Sequence, residues 1–512
     1  MALEINLEKI TKDNLHRILP ELIRLENNWV GIGDAPWAPE NFERELPKKW
    51  EMSRYASVFG TIVGYNIASI DGNVGRLNKI VVASDFRNKG IGDMLWKEFL
   101  EDCRRNKVER AEFKVLPDNE SAISFYKKRG CLFYGDAIGT DKKIRHTVMY
   151  PFRLKERVPH SKPTISSDDK EAVIRAIEHG DLATGRMVNY FIDAFTEYIG
   201  KEFGVATNSG SAALHLALRA LDVKSGDEVI LPSYVCNAVL NAVSYCNANP
   251  VLVDINPDDY NISLEDAVAK KSDKTKAIIL PHMFGKPIKN LDDFLKSFEG
   301  TPIIEDCALS VGASYNGKKV GSFGRLSIFS LRATKMLAAG LGGVVLTDDK
   351  DLKKRLDDLA TYDNRVLGGE SYNYQMCDFN AALAMSQLRR LDSFVNARRN
   401  VAKKYTEMFQ NSKVDFEFPE FDEDNIFFRY IIRHPNSEEF MENVKSRGVD
   451  VARPVFLPLH KYLNLPDDNF PNTTKAYQTA VSIPIYPLMD PLIDNRTVFN
   501  VAGILVNWRY EK

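Results

Sequence analysis

The sequence predicts an α/β chain of two or three domains, the largest built on a mostly parallel sheet with helices on both faces. Three observations predict it. The chain has 512 residues, too many for one hydrophobic core. Its second part repeats short, near-continuous apolar runs separated by polar or helical stretches, which is how buried parallel strands read. A charged segment twice interrupted by proline, LKERVPHSKPTISSDD at 154–169, separates two stretches of different rhythm.

Composition narrows the function. Hydrophobic residues make up 44% and charged residues 27%, ordinary for a globular chain. A formal net charge of −2 gives no bulk attraction to nucleic acid or anionic lipid, so neither is an expected partner. The six cysteines are scattered, without a C-x-x-C pair; no disulfide framework and no metal site are expected, and a reducing compartment fits. The start, MALEINLEKITKDN, lacks a basic-then-apolar signal pattern. No run of ~18 apolar residues offers a membrane span. The cytoplasm is the expected location.

Residues 1–155 form the first expected domain. LNKIVV (77–82) reads as a strand. It runs into a segment whose Ile91, Met94, Leu95, Phe99 and Cys103 recur at helical spacing. The helix therefore starts at Arg87, Asn88, Lys89, Gly90, Ile91 and Gly92. Two glycines at a helix start let backbone N–H groups point at an anion, and a pyrophosphate fits there. Downstream lie Asn119-Glu120-Ser121-Ala122-Ile123-Ser124-Phe125-Tyr126 and then Lys127 to Gly130. This ordered pair of motifs, over roughly residues 55–150, resembles the GNAT family of acetyl-CoA-dependent N-acetyltransferases. The resemblance implies a mixed-sheet domain in which the backbone of Arg87 to Gly92 holds the CoA pyrophosphate. The strand Ile80–Val82, with Val81 and Val82, would run beside the pantetheine arm. Asn119 would open the second cofactor-side motif, and Tyr126 would protonate the leaving thiolate, a step that needs a nearby donor. The base that deprotonates the acceptor amine stays open among Glu21, Glu26, Asp71 and water.

Residues 156–512 form the second expected part, with a large subdomain at about 168–400 and a small one at about 401–512. Asp168 or Asp169 is the expected cap of its first helix. EVILP (228–232), VLVDI (251–255), AIILP (277–281), PIIED (302–306), LSIFS (326–330) and GVVLT (343–347) are the expected strands. Ligands in such sheets sit at the carboxyl ends of the strands. Three groups suited to pyridoxal phosphate (PLP) fall there: Lys335 after FSLRAT, Glu305 or Asp306 at the end of PIIED, and the small-residue turn Asn208-Ser209-Gly210-Ser211 at a helix start. PLP chemistry needs an anchoring lysine, a carboxylate facing the pyridine nitrogen, and donors around the phosphate. Of the two carboxylates only one can face the site, because strand side chains alternate.

These segments, together with DLATG (181–185), PHMFG, GKKVGSFG, YNYQMCDFN, PLH and SIPIYP in that order, resemble the DegT/DnrJ/StrS family of nucleotide-sugar aminotransferases. The resemblance implies the PLP-dependent transferase type I fold. It makes Lys335 the Schiff-base lysine and Asp306 the partner of the pyridine nitrogen. Gly210, Ser211 and Ser330 would hold the phosphate. Asn373 would reach the phosphate of a neighbouring subunit, which implies a homodimer. Three positions depart from the family. Leu309 stands where Gln or His is usual, Leu341 where Glu is usual, and Tyr234 or Cys236 takes the place of the aromatic that stacks on the cofactor ring.

An aminotransferase makes an amine and an N-acetyltransferase consumes one. The fusion implies two steps on one substrate: amino transfer from glutamate to a nucleotide-linked keto-deoxy-sugar, then acetylation from acetyl-CoA, yielding an acetamido-sugar for polysaccharide. Two other readings fit the same motifs: acetylation of an unrelated amine, or a PLP half that acts as a non-catalytic sensor or scaffold.

Overall fold

The computed structural model describes residues 4–28, 35–138, 141–154, 156–180, 182–363, 369–490, 492 and 495–508. Asp181 of the DLATG motif lies outside the described residues.

The first sheet is built from β1 (Ile5–Lys9), β2 (Arg54–Val58), β3 (Thr61–Asp71), β4 (Val74–Val82), β5 (Arg110–Val115), β6 (Leu132–Ile138) and β7 (Ile144–Pro151), in the spatial order β1-β2-β3-β4-β5-β7-β6. All pairs are antiparallel except β4–β5. Both faces are covered, so β3 is buried almost throughout instead of alternating. Helix Lys12–Asn28 buries Leu15, Ile18, Leu22 and Leu25 on one side. Helix Ile91–Arg105 packs Leu95, Trp96, Phe99 and Cys103 on the other. The parallel pair β4–β5 is short. It joins Val74–Arg76 to Arg110–Glu112 and no more, so beyond Leu77 the two strands diverge and leave a notch in the sheet.

The second sheet contains β8 (Phe203–Thr207), β9 (Glu228–Pro232), β10 (Asn249–Val253), β11 (Thr275–Pro281), β12 (Ile303–Asp306), β15 (Leu326–Ser330) and β16 (Gly343–Thr347). A two-residue hairpin, β13 (Ser314–Tyr315) with β14 (Lys318–Lys319), interrupts the count. The order is β10-β9-β11-β12-β15-β16-β8. The five strands from β10 to β15 are parallel, and β16 runs antiparallel to both its neighbours. The expected strands are present; β8, five residues at the sheet edge, is an addition. The first helix of this half, Ser167–Glu178, corrects the expected cap. Ser166 accepts from the Asp169 N–H, and Asp169 reaches back to the Ser166 N–H, so Asp169 is the reciprocal partner of a capping box.

A small unit follows, in which β17 (Tyr430–Arg433) pairs antiparallel with β18 (Ala480–Ile483). Helices Leu391–Gln410, Ser437–Ser446 and Asn495–Val506 cover it. Its core is continuous with the first sheet: Leu132 and Met149 cluster with Phe440, Ile504 and Leu505. Buried Arg447 stitches the same junction. It donates to the carbonyls of Pro151 (2.9 Å) and Phe152 (2.8 Å) on one side, and to Ile504 (3.2 Å) and Asn507 (3.3 Å) on the other. Asn507 Nδ2 adds a bond to the Gly130 carbonyl at 2.7 Å. The two halves are thus packed against each other as well as tethered.

Arg447→Ala removes four donor bonds to these carbonyls, each worth ~0.5–1.5 kcal/mol net. The expected loss of stability is about 3 kcal/mol, read as a fall in the urea midpoint. An unchanged midpoint would show that this junction contributes nothing to folding.

Candidate active sites

The parallel strands of the second sheet deliver their carboxyl ends to one cleft. β12 and β15 are neighbours, with Asp306 beside Ile328. The alternation of β12 then separates the two acidic candidates. Glu305 turns to one face and is saturated there. It accepts the N–H groups of Gly321 (2.8 Å), Phe323 (2.8 Å) and Gly324 (2.6 Å), and bonds His282 Nε2 at 3.0 Å. Glu305 thereby folds the GKKVGSFG loop. Asp306 turns to the other face, accepts only the Ala308 N–H among the described hydrogen bonds (3.0 Å), and lies in the field of Lys335 and Cys236.

Lys335 sits on the loop after β15. That loop is pinned by backbone bonds from Leu331 to Gly342, Ala333 to Gly340 and Ala339 to Leu331. Its Nζ lies 5.6 Å from the ring centroid of Phe428. Burial pulls the Lys335 ammonium below its ordinary pKa, against the opposing pull of Cys236 and Asp306. Burial likewise lifts Asp306 above the usual carboxylate range, against the Ala308 N–H and Lys335. Both shifts reflect the cost of burying charge, and a cation arriving opposite Asp306 would relieve its share.

The nest at the start of helix Gly210–Ala220 closes the other end of the cleft. Ser209 caps it, its Oγ accepting from the Ala212 N–H at 3.1 Å, so the first-turn N–H groups of Gly210 and Ser211 point outward. A side chain at Gly210 would meet Ser330 Cβ at 2.8 Å. Only glycine lets the Ser330 hydroxyl stand against the nest, and the pair brings hydroxyl and backbone N–H donors together. Asn373, on the segment beside Asn208, is exposed.

The two residues offered for the ring-stacking position part company. Tyr234 is sealed in the core against Tyr260 and Phe284. Cys236 opens to the cleft within the charge field of Asp306 and Lys335. The assignment of Tyr234 to the cofactor is therefore corrected: its ring is used in packing. Leu309 is half-buried between two parts of the core, whereas Leu341 is exposed.

Sequence reasoning missed Arg429, Phe428, Arg398 and His160, which border the lysine loop. Arg429 Nη1 donates to His160 at 2.9 Å, and His160 Nε2 bonds Ser482 Oγ at 2.8 Å. Burial first, then the Arg429 charge, pull His160 down to about 3. The available signal was an arginine inside the apolar run NIFFRYII.

In the first sheet, β4 leads into the loop Arg87 to Gly92, where Asn88 and Gly90 adopt left-handed backbone, φ 60° and 85°. With Lys89, this loop gathers N–H groups at the start of helix Ile91–Arg105. The notch beside Ile80, Val81 and Val82 opens at the same end of the sheet. Val81 buries its side chain in the core while Val82 is half-exposed. Asn119 uses its side chain to cap helix Glu120–Lys127, accepting from the Ala122 N–H at 3.1 Å. Tyr126 packs 4.2 Å from Phe113, centroid to centroid, on the diverging part of β5, and 5.5 Å from Trp96. Burial, aided by Cys131, pushes its phenol far above the ordinary value, so it carries its proton at every physiological pH.

The base candidates are also distinguished. Glu26 is fully buried and engaged by the Trp37 N–H (2.8 Å), the Tyr65 hydroxyl and Lys79 Nζ (3.3 Å). Glu21 accepts the Ile62 N–H at 3.0 Å. Asp71 pairs opposite Val74, at the closed end of β4 and away from the notch.

Comparison with known proteins assigns a family to each half. Residues 163–500 match the DegT/DnrJ/EryC1/StrS aminotransferase family, and residues 22–131 match the Acetyltransferase (GNAT) family. A GDP-perosamine synthase of Caulobacter vibrioides is 30% identical over 371 residues, covering 68% of this chain and 99% of that protein. A GDP-perosamine synthase of Escherichia coli O157:H7 is 33% identical over 319 residues, 59% of this chain and 85% of that protein. Among solved structures, S. venezuelae DesV in complex with a ketimine intermediate aligns with a TM-score of 0.63 at 26% identity, covering 69% of this chain and 99% of that one. Helicobacter pylori PseC, at 21% identity and a TM-score of 0.63 over 70% of this chain and all of that one, shares the fold.

A pH prediction follows from His160. Its folded pKa lies below the unfolded value, so between about 6.5 and 3 the unfolded chain binds the extra proton. Stability should fall as pH drops through that window, by up to about 1.4 kcal/mol per pH unit from this group. His160→Gln should flatten the slope in a pH series of denaturant midpoints; an unchanged slope would contradict it.

Proposed function

This chain belongs to the DegT/DnrJ/EryC1/StrS aminotransferase family, and on that premise we propose that it both makes and acetylates an amino-sugar. The second half transfers an amino group from glutamate to a nucleotide-linked keto-deoxy-sugar, and the first half acetylates the new amine from acetyl-CoA. The relatives that synthesise GDP-perosamine make a GDP-linked keto-sugar the first acceptor to test. The product would serve polysaccharide assembly in the cytoplasm. The observation that carries the reading is the opposition of half-buried Lys335 and buried Asp306 across a cleft closed by the Gly210–Ser330 cradle.

The residues fit PLP. The cradle offers N–H and hydroxyl donors, and Asp306 keeps lone pairs free toward the cleft beside a lysine whose pKa burial lowers. When bound, PLP supplies a carbonyl for amines and an electron sink for the carbon that loses its proton. Asp306, as a carboxylate, would hold positive charge on the ring nitrogen. Gly210, Ser211 and Ser330 would fix the phosphate, with Asn373 reaching toward a second subunit's phosphate in a homodimer. Lys335 would anchor the cofactor and, once displaced by the donor, carry a proton at Nζ between the donor carbon and the cofactor side. Cys236 would lie against the ring in place of an aromatic.

In the first half, the loop Arg87 to Gly92 would grip the CoA pyrophosphate with backbone N–H groups. The notch would admit the pantetheine arm along Val81 and Val82. Tyr126, protonated and packed from helix Glu120–Lys127 against Phe113 of β5, would give its proton to the departing thiolate. The shared core of Leu132 and Met149 with the small unit favours two linked steps over an unrelated acetylation, because it holds the two sites in one packed body.

Lys335→Ala should abolish the visible absorption of the PLP-loaded protein and amino transfer with it. Asp306→Asn should keep the bound cofactor and lower amino transfer about 100-fold or more; retention of wild-type rates by either variant would refute the assignment. Full-length protein given the GDP-linked keto-sugar, glutamate and acetyl-CoA should release acetylated sugar. Tyr126→Phe should stop the sequence at the free amine, slowing acetylation ~10²–10⁴-fold. Absence of acetylated sugar from wild type would refute the two-step reading.

A further inference from the structure

The aminotransferase cleft contains two guanidiniums that no carboxylate of the described chain neutralises. Arg429 stands directly before β17, and Arg398 lies within helix Leu391–Gln410. Both face the ring of Phe428, Arg429 at 4.9 Å and Arg398 at 5.8 Å from its centroid. This is the ring that Lys335 Nζ also faces. Arg398 is 4% exposed; it donates to the carbonyls of Phe428 (3.3 Å) and Ile485 (2.8 Å), while its buried Nε–H has no acceptor. A small cavity bounded by Lys335, Arg398, Thr164 and Gln387 lies beside it. Among the described residues the Arg429 guanidinium donates to the neutral ring of His160, itself held by Ser482 of β18. Among the described residues neither arginine makes an ion pair. Arg332 and Lys335 add positive charge to the same field. Burial draws Arg398 down to about 9, helped by Arg429, and Arg429 down to about 10.

Two desolvated like charges beside an orphaned donor raise the energy of the folded chain. An anion arriving with the substrate would lower it. We propose that Arg429, supported by Arg398, binds the carboxylate of the amino donor that is bonded to the carbon bearing the transferred amine. This rests on the aminotransferase reading and adds to it the residue that selects an α-amino acid over other amines.

Position favours the donor as the source of the anion. A group facing the same ring as Lys335 lies close to the reacting carbon. The α-carboxylate of an amino acid is one bond from that carbon. The diphosphate of a sugar nucleotide is separated from its ketone carbon by part of the sugar ring and a glycosidic oxygen. The planar guanidinium fork also matches a carboxylate in two-point contact. His160 and Ser482 act as positioning residues, fixing Arg429 from behind without adding negative charge.

The test uses the full-length protein with PLP added. Glutamate is titrated against the visible band, and binding of glutarate and of GDP is measured by calorimetry. Arg429→Leu should raise the half-saturating glutamate concentration and weaken glutarate about 30-fold, leaving GDP within about twofold. Arg429→Lys, which keeps the charge and loses the fork, should fall between. A retained visible band and melting midpoint show that a variant is folded, and the lysine variant carries the test if the leucine one is not. Weakened GDP with unchanged glutamate and glutarate would move the anion to the sugar nucleotide and overturn the proposal. Unchanged affinity for all three, or no glutarate binding by wild type, would overturn it as well. A wild-type protein that forms no visible band, yet binds glutarate in an Arg429-dependent way, would instead sink the aminotransferase reading and keep the anion site.

Discussion

The opposition of Asp306 and Lys335 in a buried cleft is the constraint on which the second half depends. Neither charge is comfortable there: burial lifts the carboxyl and lowers the ammonium. Holding them in place takes two adjacent parallel strands ending at one level and a loop pinned by three backbone bonds. It also takes a second carboxylate, Glu305, spent wholly on folding the neighbouring glycine-rich loop. The cost makes sense if a cofactor with a cationic ring nitrogen and a phosphate completes the charge balance. The phosphate end is prepared by a helix start and a glycine that admits Ser330.

The first half uses a different device for the same end. β4 and β5 pair for three residues and the ladder then ends, where the proposed thioester site lies. The left-handed loop at the start of the next helix lies at the open end, and so does Tyr126. Its burial keeps the proton on oxygen, which suits a donor. The small unit of the second half packs its last helix on β6 and β7 of this sheet, and Arg447 bonds carbonyls on both sides of the junction. Fusion here is structural as well as covalent.

Much of this was legible in the sequence because it is local. Lys335 follows a strand by a short spacing, Asp306 ends one and Gly210 opens a helix, and five parallel strands announce themselves as apolar runs. The loop Arg87 to Gly92 and the segment from Asn119 to Gly130 are contiguous motifs. What escaped depends on residues distant in sequence. β8 is short, and only its pairing with β16 makes it a strand. Ser166 took the cap from Asp169 because a capping box needs both partners. Of Tyr234 and Cys236, two residues apart, the sequence favours Cys236 for the cleft, and the fold puts Tyr234 in the core. Arg429 was visible as a cation in an apolar run, but its lack of an acidic partner is a fact of three dimensions. The junction through Leu132, Met149 and Arg447 joins segments some 300 residues apart, beyond any periodicity.

The most direct measurement of the central claim is chemical trapping. The full-length protein, incubated with PLP and reduced with borohydride, should carry one pyridoxyl phosphate mass increment per chain, mapped by peptide mass spectrometry to Lys335. Phosphate competition should suppress the label, because the Gly210–Ser330 cradle would hold the phosphate end. Label spread over surface lysines, or absent from Lys335, would contradict the account.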